Sequence, residues 1–285
     1  MNDQAAPALS DLSVSIKILT YAILIVGAVV MVLPFLWMIS TACKPPQELA
    51  SLPVRWVPQN PVCIENVQGL YSISPLFNHY MFNSALLTIG RVVGQLVTCS
   101  LAAYGFARFK FPGNRLFFAL SLGLLMVPFQ AIIIPEFVLM RTIGWLNTYA
   151  GLIVPGFFSA FALFLLRQAF LQIPLELEES AMIDGANPLQ TLFYITLPLS
   201  VPALAAFAVI TMQAAWNDFL FPLVVANTQQ TRVVTIGISL LQGERGTPWN
   251  ILMMGSFIAT VPMLLLFIVL QRYFIEGVAM AGIKR

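Results

Sequence analysis

Residues 179–186 read Glu-Ser-Ala-Met-Ile-Asp-Gly-Ala, and residues 195–198 read Ile-Thr-Leu-Pro. This polar, acidic segment stands out because the chain around it is largely apolar. Of the 285 residues, 59% are hydrophobic and only 9% are charged, whereas soluble domains carry about 25% charged residues. The composition therefore predicts an integral membrane protein, with the acidic segment outside the lipid.

The apolar stretches are long enough to cross a membrane. A spanning helix needs about 20 largely apolar residues, because about 30 Å of hydrocarbon must be crossed at about 1.5 Å per residue. Backbone donors and acceptors must also be satisfied within each segment. The sequence predicts an all-α membrane protein, one domain over residues 1–285 with six transmembrane helices. Their expected bounds are about 18–40, 82–106, 116–140, 149–169, 199–225 and 251–273.

The distribution of Lys and Arg predicts the orientation of these spans. An even number of spans places both termini on one side, and short cytoplasmic loops carry an excess of Lys and Arg. Arg108, Lys110 and Arg115 cluster in one short loop on the side of the termini, so both termini are expected in the cytoplasm. No stripe of basic and aromatic residues points to nucleic acid as a partner.

Three cysteines divide between a loop and a span. Cys43 and Cys63 lie in the Pro-rich connection between the first two predicted spans, where they could form a disulfide in an oxidising compartment. Cys99 falls within the second span and is expected to be a small buried hydrophobe.

The acidic segment is predicted to be the first half of a helix-turn-helix over residues 174–198, between spans four and five. Pro174 suits the first position of a helix. Glu176, Glu178 and Glu179 then fall in its first turns, where carboxylates oppose the positive end of the helix dipole. A short helix is therefore expected to begin at Pro174.

A turn and a second helix should follow. Gly185 can adopt the left-handed conformation that ends a helix. Asn187 is a suitable N-cap, with Pro188 at the first position and Gln190 at the third. The second helix is expected to end at Pro198, so that the segment forms a knob outside the membrane.

The spacing within this segment resembles the cytoplasmic coupling loop in the permease subunits of bacterial ABC importers. One alternative is a solvated acidic helix that merely joins two spans, but a simple linker has no reason to keep such a pattern. The residues that carry the resemblance are Glu179, Ala181, Gly185, Ile195, Leu197 and Pro198.

The resemblance implies a site that couples the chain to an ATPase. In that family the loop docks into a groove on a separate cytoplasmic ATPase, so Glu179 would contact that subunit. Ser180 stands where the family usually has alanine. The implied coupling residues are Glu179, Ser180, Ala181, Asp184, Gly185 and Ala186.

The chain lacks the phosphate-binding loop that ATP hydrolysis would need. It contains no Gly-x-x-x-x-Gly-Lys-[Ser/Thr] sequence and no Gly-Lys pair. We therefore expect a transport subunit with no cofactor of its own, while ATP and Mg are bound by the partner ATPase.

Further motifs resemble the carbohydrate-uptake branch of the family, and in particular the second maltose-type permease. They are Phe82-Asn83-Ser84, Tyr104-Gly105-Phe106-Ala107-Arg108, Phe111-Pro112-Gly113, Trp216-Asn217-Asp218-Phe219-Leu220, and the tail residues Gln271, Arg272, Gly277, Gly282 and Lys284. The resemblance implies import of a di- or oligosaccharide or a sugar-glycerol solute across the bacterial cytoplasmic (inner) membrane. The implied partners are a second homologous permease, a homodimeric ABC ATPase and an extracytoplasmic solute-binding protein. It also implies that residues 226–250 reach into the binding protein and that 277–285 touch the ATPase pair.

Polar residues within the spans are candidates for the translocation path, because charge in hydrocarbon costs at least ~2.5 kcal/mol. Trp216, Asn217 and Asp218 are the predicted path residues, since an aromatic face beside hydrogen-bonding groups suits a sugar. For Gln95 and Gln213 the favoured interpretation is interhelical hydrogen bonding, worth ~0.6 kcal/mol on average.

Two other functions stay open at this point. A stand-alone ion-coupled carrier or channel would use ionisable residues within the membrane, for which Arg91 and Asp218 are the candidates. An intramembrane enzyme would need a catalytic constellation, yet the single histidine, His79, lies outside the predicted spans. Neither alternative accounts for the pattern at 179–198.

Overall fold

The structure is a computed structural model that describes residues 13–243 and 246–282. These residues form no β-strand, and an isolated bridge joins Gly243 to Gly246. The helices are α1 (Val14–Ala42), α2 (Pro46–Leu49), α3 (Cys63–Ile73), α4 (Phe77–Arg108), α5 (Asn114–Gly123), α6 (Phe129–Thr142), α7 (Tyr149–Ile153), α8 (Ala160–Leu171), α9 (Leu175–Ile183), α10 (Pro188–Thr191), α11 (Leu197–Leu199), α12 (Val201–Trp216), α13 (Leu220–Val225), α14 (Val234–Ser239) and α15 (Trp249–Gly282). Short 3₁₀ turns cover Leu124–Met126 and Val154–Phe157, and a π turn covers Leu192–Thr196. The predicted all-α class is confirmed.

The described residues hold three to six candidate membrane spans. Three single helices are long and apolar enough, namely Val14–Ala42, Phe77–Arg108 and Trp249–Gln271. Three pairs of helices pass only together, because each pair is bent at a short break. The pairs are Asn114–Met126 with Phe129–Thr142 at 101°, Tyr149–Phe157 with Ala160–Leu171 at 43°, and Pro188–Leu199 with Val201–Trp216 at 80°.

The predicted fifth span, 199–225, falls on two helices in the structure. It is broken after Trp216, and α13 begins only at Leu220. Pro222 lacks the N–H that a continuous helix would donate to the carbonyl of Asp218. Instead, the Asp218 carboxylate accepts from the backbone N–H of Phe221 at 3.4 Å, so a new short helix starts here.

The described chain groups into two compact units. The first comprises the residues up to Ile73 with Leu241–Ile258. In this unit a disulfide joins Cys43 to Cys63. Buried Asn66 donates to the carbonyls of Ala42 and Lys44 at 2.8 and 3.0 Å. The unit therefore fixes the polar connection that follows α1.

The second unit comprises Ser74–Leu240 with the residues from Ala259 onward. Its core lies where α4 packs against α8 and α12. The buried residues there are Cys99, Ala103, Tyr104, Ala162, Leu163, Leu166, Phe170, Leu192 and Phe207. Cys99 is fully buried, as predicted. This core supports a polar network at the carboxyl end of α4 and a cavity further toward its amino end.

The amino end of α4 holds the segment that follows α13. Asn83 donates to the carbonyls of Gln230 and Arg232 at 2.9 and 2.8 Å. Ser84 accepts from the backbone N–H of Val234 at 2.8 Å. The Asn-Ser pair at 83–84 therefore has a structural role, because it fixes part of the loop at 226–250 against α4.

Candidate functional site

The segment at 174–199 begins as the sequence predicts, with a shift of one residue. Pro174 is the N-cap of α9, and the helix itself starts at Leu175. Glu176 and Glu178 lie in the first turn, where their charges oppose the helix dipole.

The turn after α9 is a Schellman motif. The N–H of Gly185 donates to the carbonyl of Met182 at 3.1 Å, and the N–H of Ala186 donates to the carbonyl of Ala181 at 2.9 Å. Gly185 has φ of 93°, in the left-handed region where glycine carries no steric penalty. The structure thus gives Gly185 the conformation that the sequence predicts for it.

The second helix starts with a complete capping box. The Asn187 side chain accepts from the N–H of Gln190 at 2.9 Å, and the Gln190 side chain accepts from the N–H of Asn187 at 2.8 Å. The helical path passes through the π turn and continues to Leu199. It therefore ends one residue beyond Pro198, because Pro198 lies in the first turn of α11 and needs no donor there.

Glu178 anchors this segment to the helical bundle. Its side chain is fully buried. Its carboxylate accepts from Nε of Arg108 at 3.0 Å to each oxygen, and Nη2 of Arg108 lies 2.9 Å from Oε1. Thr196 donates to the same carboxylate at 2.9 Å, and the Tyr104 hydroxyl does so at 3.4 Å. α9, the π turn and the carboxyl end of α4 are therefore joined at one carboxylate.

Arg108 extends this network to α8. Its Nη2 donates to the carbonyl of Phe170 in the last turn of α8 at 2.8 Å and to that of Ile173, two residues beyond the helix, at 3.0 Å. Carbonyls at the end of a helix lack intrahelical partners. We call Tyr104, Arg108, Glu178 and Thr196 the Glu178 network. Sequence reasoning missed this role, since it counted Arg108 only for topology and Glu178 only for the helix dipole.

The opposite face of α9 is open. Glu179, Ser180, Asp184 and Gly185 are exposed, whereas Ala181 and Ala186 are half-buried. Glu178 and Glu179 differ in burial because successive helical residues point about 100° apart. The predicted coupling residues thus lie on the accessible side of the segment.

Apolar side chains accompany these polar residues. Ile183 is 87% exposed and Tyr194 is 78% exposed. Leu189 and Phe193 are also exposed. Large apolar side chains grouped on a surface indicate a contact with another protein or with lipid. We call Glu179, Ile183, Leu189, Phe193 and Tyr194 the knob surface.

A cavity of about 470 Å³ lies within the second unit, inside the ~300–1,000 Å³ range of small-molecule sites. Its walls come from α4, α6, α8, α12, α13 and the turn between α7 and α8. The polar lining residues are Arg91, Gln95, Glu136, Ser159, Thr211 and Asp218, and the aromatic ones are Phe129, Phe158, Phe161, Phe207 and Phe221.

An ion pair crosses one wall of the cavity. Nη1 of Arg91 lies 2.7 Å from Oδ2 of Asp218. Nε and Nη2 of Arg91 both donate to the carbonyl of Leu152, at 3.2 and 3.0 Å. A Cβ built on Gly156 would lie 2.7 Å from Cδ and Nε of Arg91, so glycine at 156 leaves room for this arrangement.

The three predicted path residues do not share one environment. Asp218 lines the cavity. The Trp216 indole is buried and donates to the carbonyl of Ala259 at 3.1 Å. Asn217 is exposed and donates to the carbonyl of Gln213 at 2.9 Å. Neither Trp216 nor Asn217 is among the lining residues.

Two other polar residues face the cavity. Gln95 donates to the carbonyl of Gly156 at 2.7 Å and accepts from the Thr211 hydroxyl at 3.0 Å, so it makes the expected interhelical bonds and also lines the cavity. Glu136 lies within the predicted third span, and sequence reasoning overlooked it as an intramembrane charge. A search for charged residues within each span could have found it.

A protein-family model matches residues 95–279 of this chain. Its description is "Binding-protein-dependent transport system inner membrane component". This match covers more than half of the chain and includes the 174–199 segment and all lining residues of the cavity except Arg91. The chain belongs to this permease family. It is a transport component of the ABC class and not an enzyme, which removes the intramembrane enzyme and the stand-alone carrier as alternatives.

Curated relatives align over nearly the whole permease. A probable ABC transporter permease, YurM of Bacillus subtilis, is 34% identical over 257 residues, which cover 88% of this chain and 83% of YurM. The trehalose/maltose transport permease MalG of Thermococcus litoralis is 34% identical over 277 residues, 94% of this chain and 98% of MalG. The sn-glycerol-3-phosphate transport permease UgpE of Brucella abortus is 30% identical over 271 residues, 92% and 95% of the two chains.

A solved structure shares the fold of the permease. A chain of a bacterial ABC transporter for import of the acidic polysaccharide alginate superposes with a TM-score of 0.82 at 22% identity, covering 92% of this chain and 99% of that one. At 22% identity this similarity shows a shared fold.

Proposed function

We propose that this permease is the membrane subunit of an ATP-driven importer for a sugar of the di- or oligosaccharide or sugar-glycerol type. Support comes from the family and from relatives whose names specify trehalose and maltose, lactose, arabino-oligosaccharides or glycerol phosphate. In this proposal the chain has six spans, with the three bent helix pairs each counted as one span. It forms the translocation path with a second, homologous permease.

The 174–199 segment is the element that couples the permease to a homodimeric ABC ATPase. The observation that carries this proposal is the contrast between the two faces of α9. Glu178 is fully buried and accepts from Arg108 at the end of α4. Arg108 in turn donates to the carbonyl of Phe170 in α8. Glu179 and Ile183 are exposed on the other side. A segment that is anchored on one face and open on the other can transmit a movement of a bound ATPase to α4 and α8.

The disulfide and the cationic loop support an orientation for the permease. Cys43 and Cys63 are bonded just before α4, and disulfides persist in oxidising compartments. Arg108 is the last residue of α4, and Lys110 follows it in the chain. We place the disulfide loop outside the cytoplasm, and both termini and the 174–199 segment inside it. Residues 226–250 then face an extracytoplasmic solute-binding protein. The proposed ATPase contact of 277–285 lies outside the residues whose side chains are described.

The test of the coupling role is sugar uptake by cells that carry Glu179→Lys or Gly185→Pro. We expect uptake to fall to background while the amount of permease in the membrane stays normal, because both changes alter the accessible side of the segment. A matched control is Glu65→Lys, which makes the same charge change at an exposed residue of α3. Uptake near the wild-type rate in the Glu179→Lys cells would argue against docking.

A further inference from the structure

The cavity lined by Arg91, Glu136 and Asp218 has a charge pattern that the proposed importer function does not by itself specify. Relatives of this permease are named for uncharged sugars and for glycerol phosphate, and the structural neighbour imports an acidic polysaccharide. Family membership therefore leaves open whether the solute carries a charge.

The cation of the cavity is already neutralised. Arg91 pairs with Asp218 at 2.7 Å, and the two side chains are only 12% and 17% exposed. The remaining bonds of the guanidinium go to the carbonyl of Leu152, and its central carbon lies 5.3 Å from the centre of the Phe221 ring. An anionic solute would have to displace Asp218 to reach this charge.

Glu136 adds a second carboxyl group, which interacts electrostatically with the same Arg91 and with Asp218. It lines the same cavity, and it makes no hydrogen bond or ion pair with the described residues. Among the described lining residues Arg91 is the single cation, and two carboxyl groups stand against it. The local charge balance therefore opposes a uronate or a phosphate ester.

The remaining lining groups suit an uncharged polyol. Gln95, Ser159 and Thr211 provide neutral donors and acceptors. Phe129, Phe158 and Phe161 present half-buried or exposed aromatic rings, which pack against the C–H face of a sugar ring. Sites of this kind combine apolar walls with a few oriented polar groups.

We propose that this cavity is a solute subsite that accepts an uncharged glycoside and rejects acidic sugars. The proposal rests on the importer function above and narrows its substrate class to neutral sugars. In this reading the Arg91–Asp218 pair orients hydroxyl groups, and Glu136 acts as a specificity-determining residue against anions.

The test compares two trisaccharide probes of equal length, maltotriose and trigalacturonate. The transporter is purified from its native cells through a tag on the permease and placed in nanodiscs without the binding protein. Saturation-transfer NMR then reports direct contact of each probe with the protein. We expect a signal from maltotriose and a signal at least about tenfold weaker from trigalacturonate, since like charges at a binding surface cost several kcal/mol.

Two variants separate charge selection from general damage. Glu136→Lys places an uncommitted cation in the cavity and should bring trigalacturonate to the signal level of maltotriose. Glu65→Lys changes the net charge by the same amount outside the cavity and should leave the wild-type preference unchanged. If Glu136→Lys does not assemble, Phe161→Ala gives a second measurement, with an expected loss of most of the maltotriose signal.

Three outcomes overturn the proposal. They are binding of trigalacturonate as strong as that of maltotriose in the wild type, absence of a signal from either probe, and a Glu136→Lys protein that assembles but keeps the wild-type preference. Failure of the importer function is seen separately and earlier, because the tagged permease would then purify without an ATPase.

Discussion

Glu178 and Glu179 are adjacent residues of the same chemical type with opposite surroundings. Glu178 is fully buried and accepts bonds from Arg108, Thr196 and Tyr104. Glu179 is exposed. A buried ion pair is a weak argument for stability by itself. Here the ion pair serves to hold α9 in place, because its hydrogen bonds fix α9 relative to α4 and α8.

The pair of glutamates gives a matched experiment. Glu178→Gln leaves Arg108 buried without a countercharge, and removal of one partner of a buried pair costs about 3–5 kcal/mol. We expect a lower thermal unfolding temperature and weaker coupling of ATP hydrolysis to transport. Glu179→Gln, on the exposed face, should leave the unfolding temperature unchanged and still reduce coupling. Both are measured on the purified complex by thermal unfolding and by ATPase activity with and without solute.

A second experiment tests whether the ion pair of the Glu178 network holds the 174–199 segment in place. The exchange Arg108→Glu with Glu178→Arg restores opposite charges and should recover part of the coupling that either single change loses. An unfolding temperature of Glu178→Gln equal to that of the wild type would contradict the role given to the network.

At the level of residues, the sequence predicts local features better than distant contacts. Gly185 and the Asn187 cap follow from neighbours within a few positions, and the structure gives both the expected geometry. The pairing of Arg108 with Glu178 joins positions far apart in the chain, and no spacing rule connects them. The place of Trp216 in the translocation path is predicted from its neighbours and stays a prediction. Its indole donates to the carbonyl of Ala259 in α15.

Among the elements, the turn between α9 and α10 depends on one backbone conformation. A Cβ on Gly185 would meet no atom within 4 Å, so space does not restrict this position. The backbone conformation restricts it instead, because Gly185 has φ of 93° and a residue with a side chain pays about 1–2 kcal/mol in the left-handed region. Asn tolerates this conformation better than most residues.

Gly185→Val and Gly185→Asn should therefore differ. We expect Gly185→Val to shift the turn and to lower sugar uptake strongly, while Gly185→Asn keeps most of it, with equal amounts of permease in the membrane. Radiolabelled uptake together with membrane immunoblotting measures both quantities. Equal uptake by the two variants would mean that the left-handed turn is not required.

The bends of the helices are the features of the elements that the sequence predicts least well. Hydropathy finds the apolar stretches, and predicted spans one, two and six fall inside single long helices. The third predicted span, 116–140, instead falls on two helices at 101°. Hydropathy is averaged over a window of residues and says nothing about the direction of the helix axis. A proline such as Pro128 permits a break in the helix but does not fix the angle between the two parts. The count of six spans therefore stays a prediction.

For the whole molecule, the orientation in the membrane is the property that most needs a direct test. Cys99 is buried and Cys43 and Cys63 are bonded, so the wild type should react little with thiol reagents. Val57→Cys, in the disulfide loop, should react with a membrane-impermeant maleimide in spheroplasts. Phe111→Cys, beyond the carboxyl end of α4, should react only in inverted vesicles. The reverse pattern of labelling would invert the proposed topology.

The outer surface of the molecule also indicates partners. In α1 the most apolar 18-residue window has none of its residues buried, and the knob surface exposes Ile183 and Tyr194. Under the proposed function, lipid or a second permease would cover the first surface. Under the proposed function the knob surface lies outside the membrane, and the ATPase would cover it. The prediction that residues 1–285 form one domain stays a prediction.

The contact between the knob surface and the ATPase is tested most directly by photocrosslinking in native membranes. The photoreactive residue benzoylphenylalanine replaces Ile183 in one strain and Met126 in another, since both side chains are 87% exposed but only Ile183 belongs to the knob surface. We expect Ile183 to capture a protein with an ATP-binding P-loop, identified by mass spectrometry, and Met126 not to capture it. Capture of lipid alone at Ile183, or equal capture of the ATPase at both positions, would contradict it.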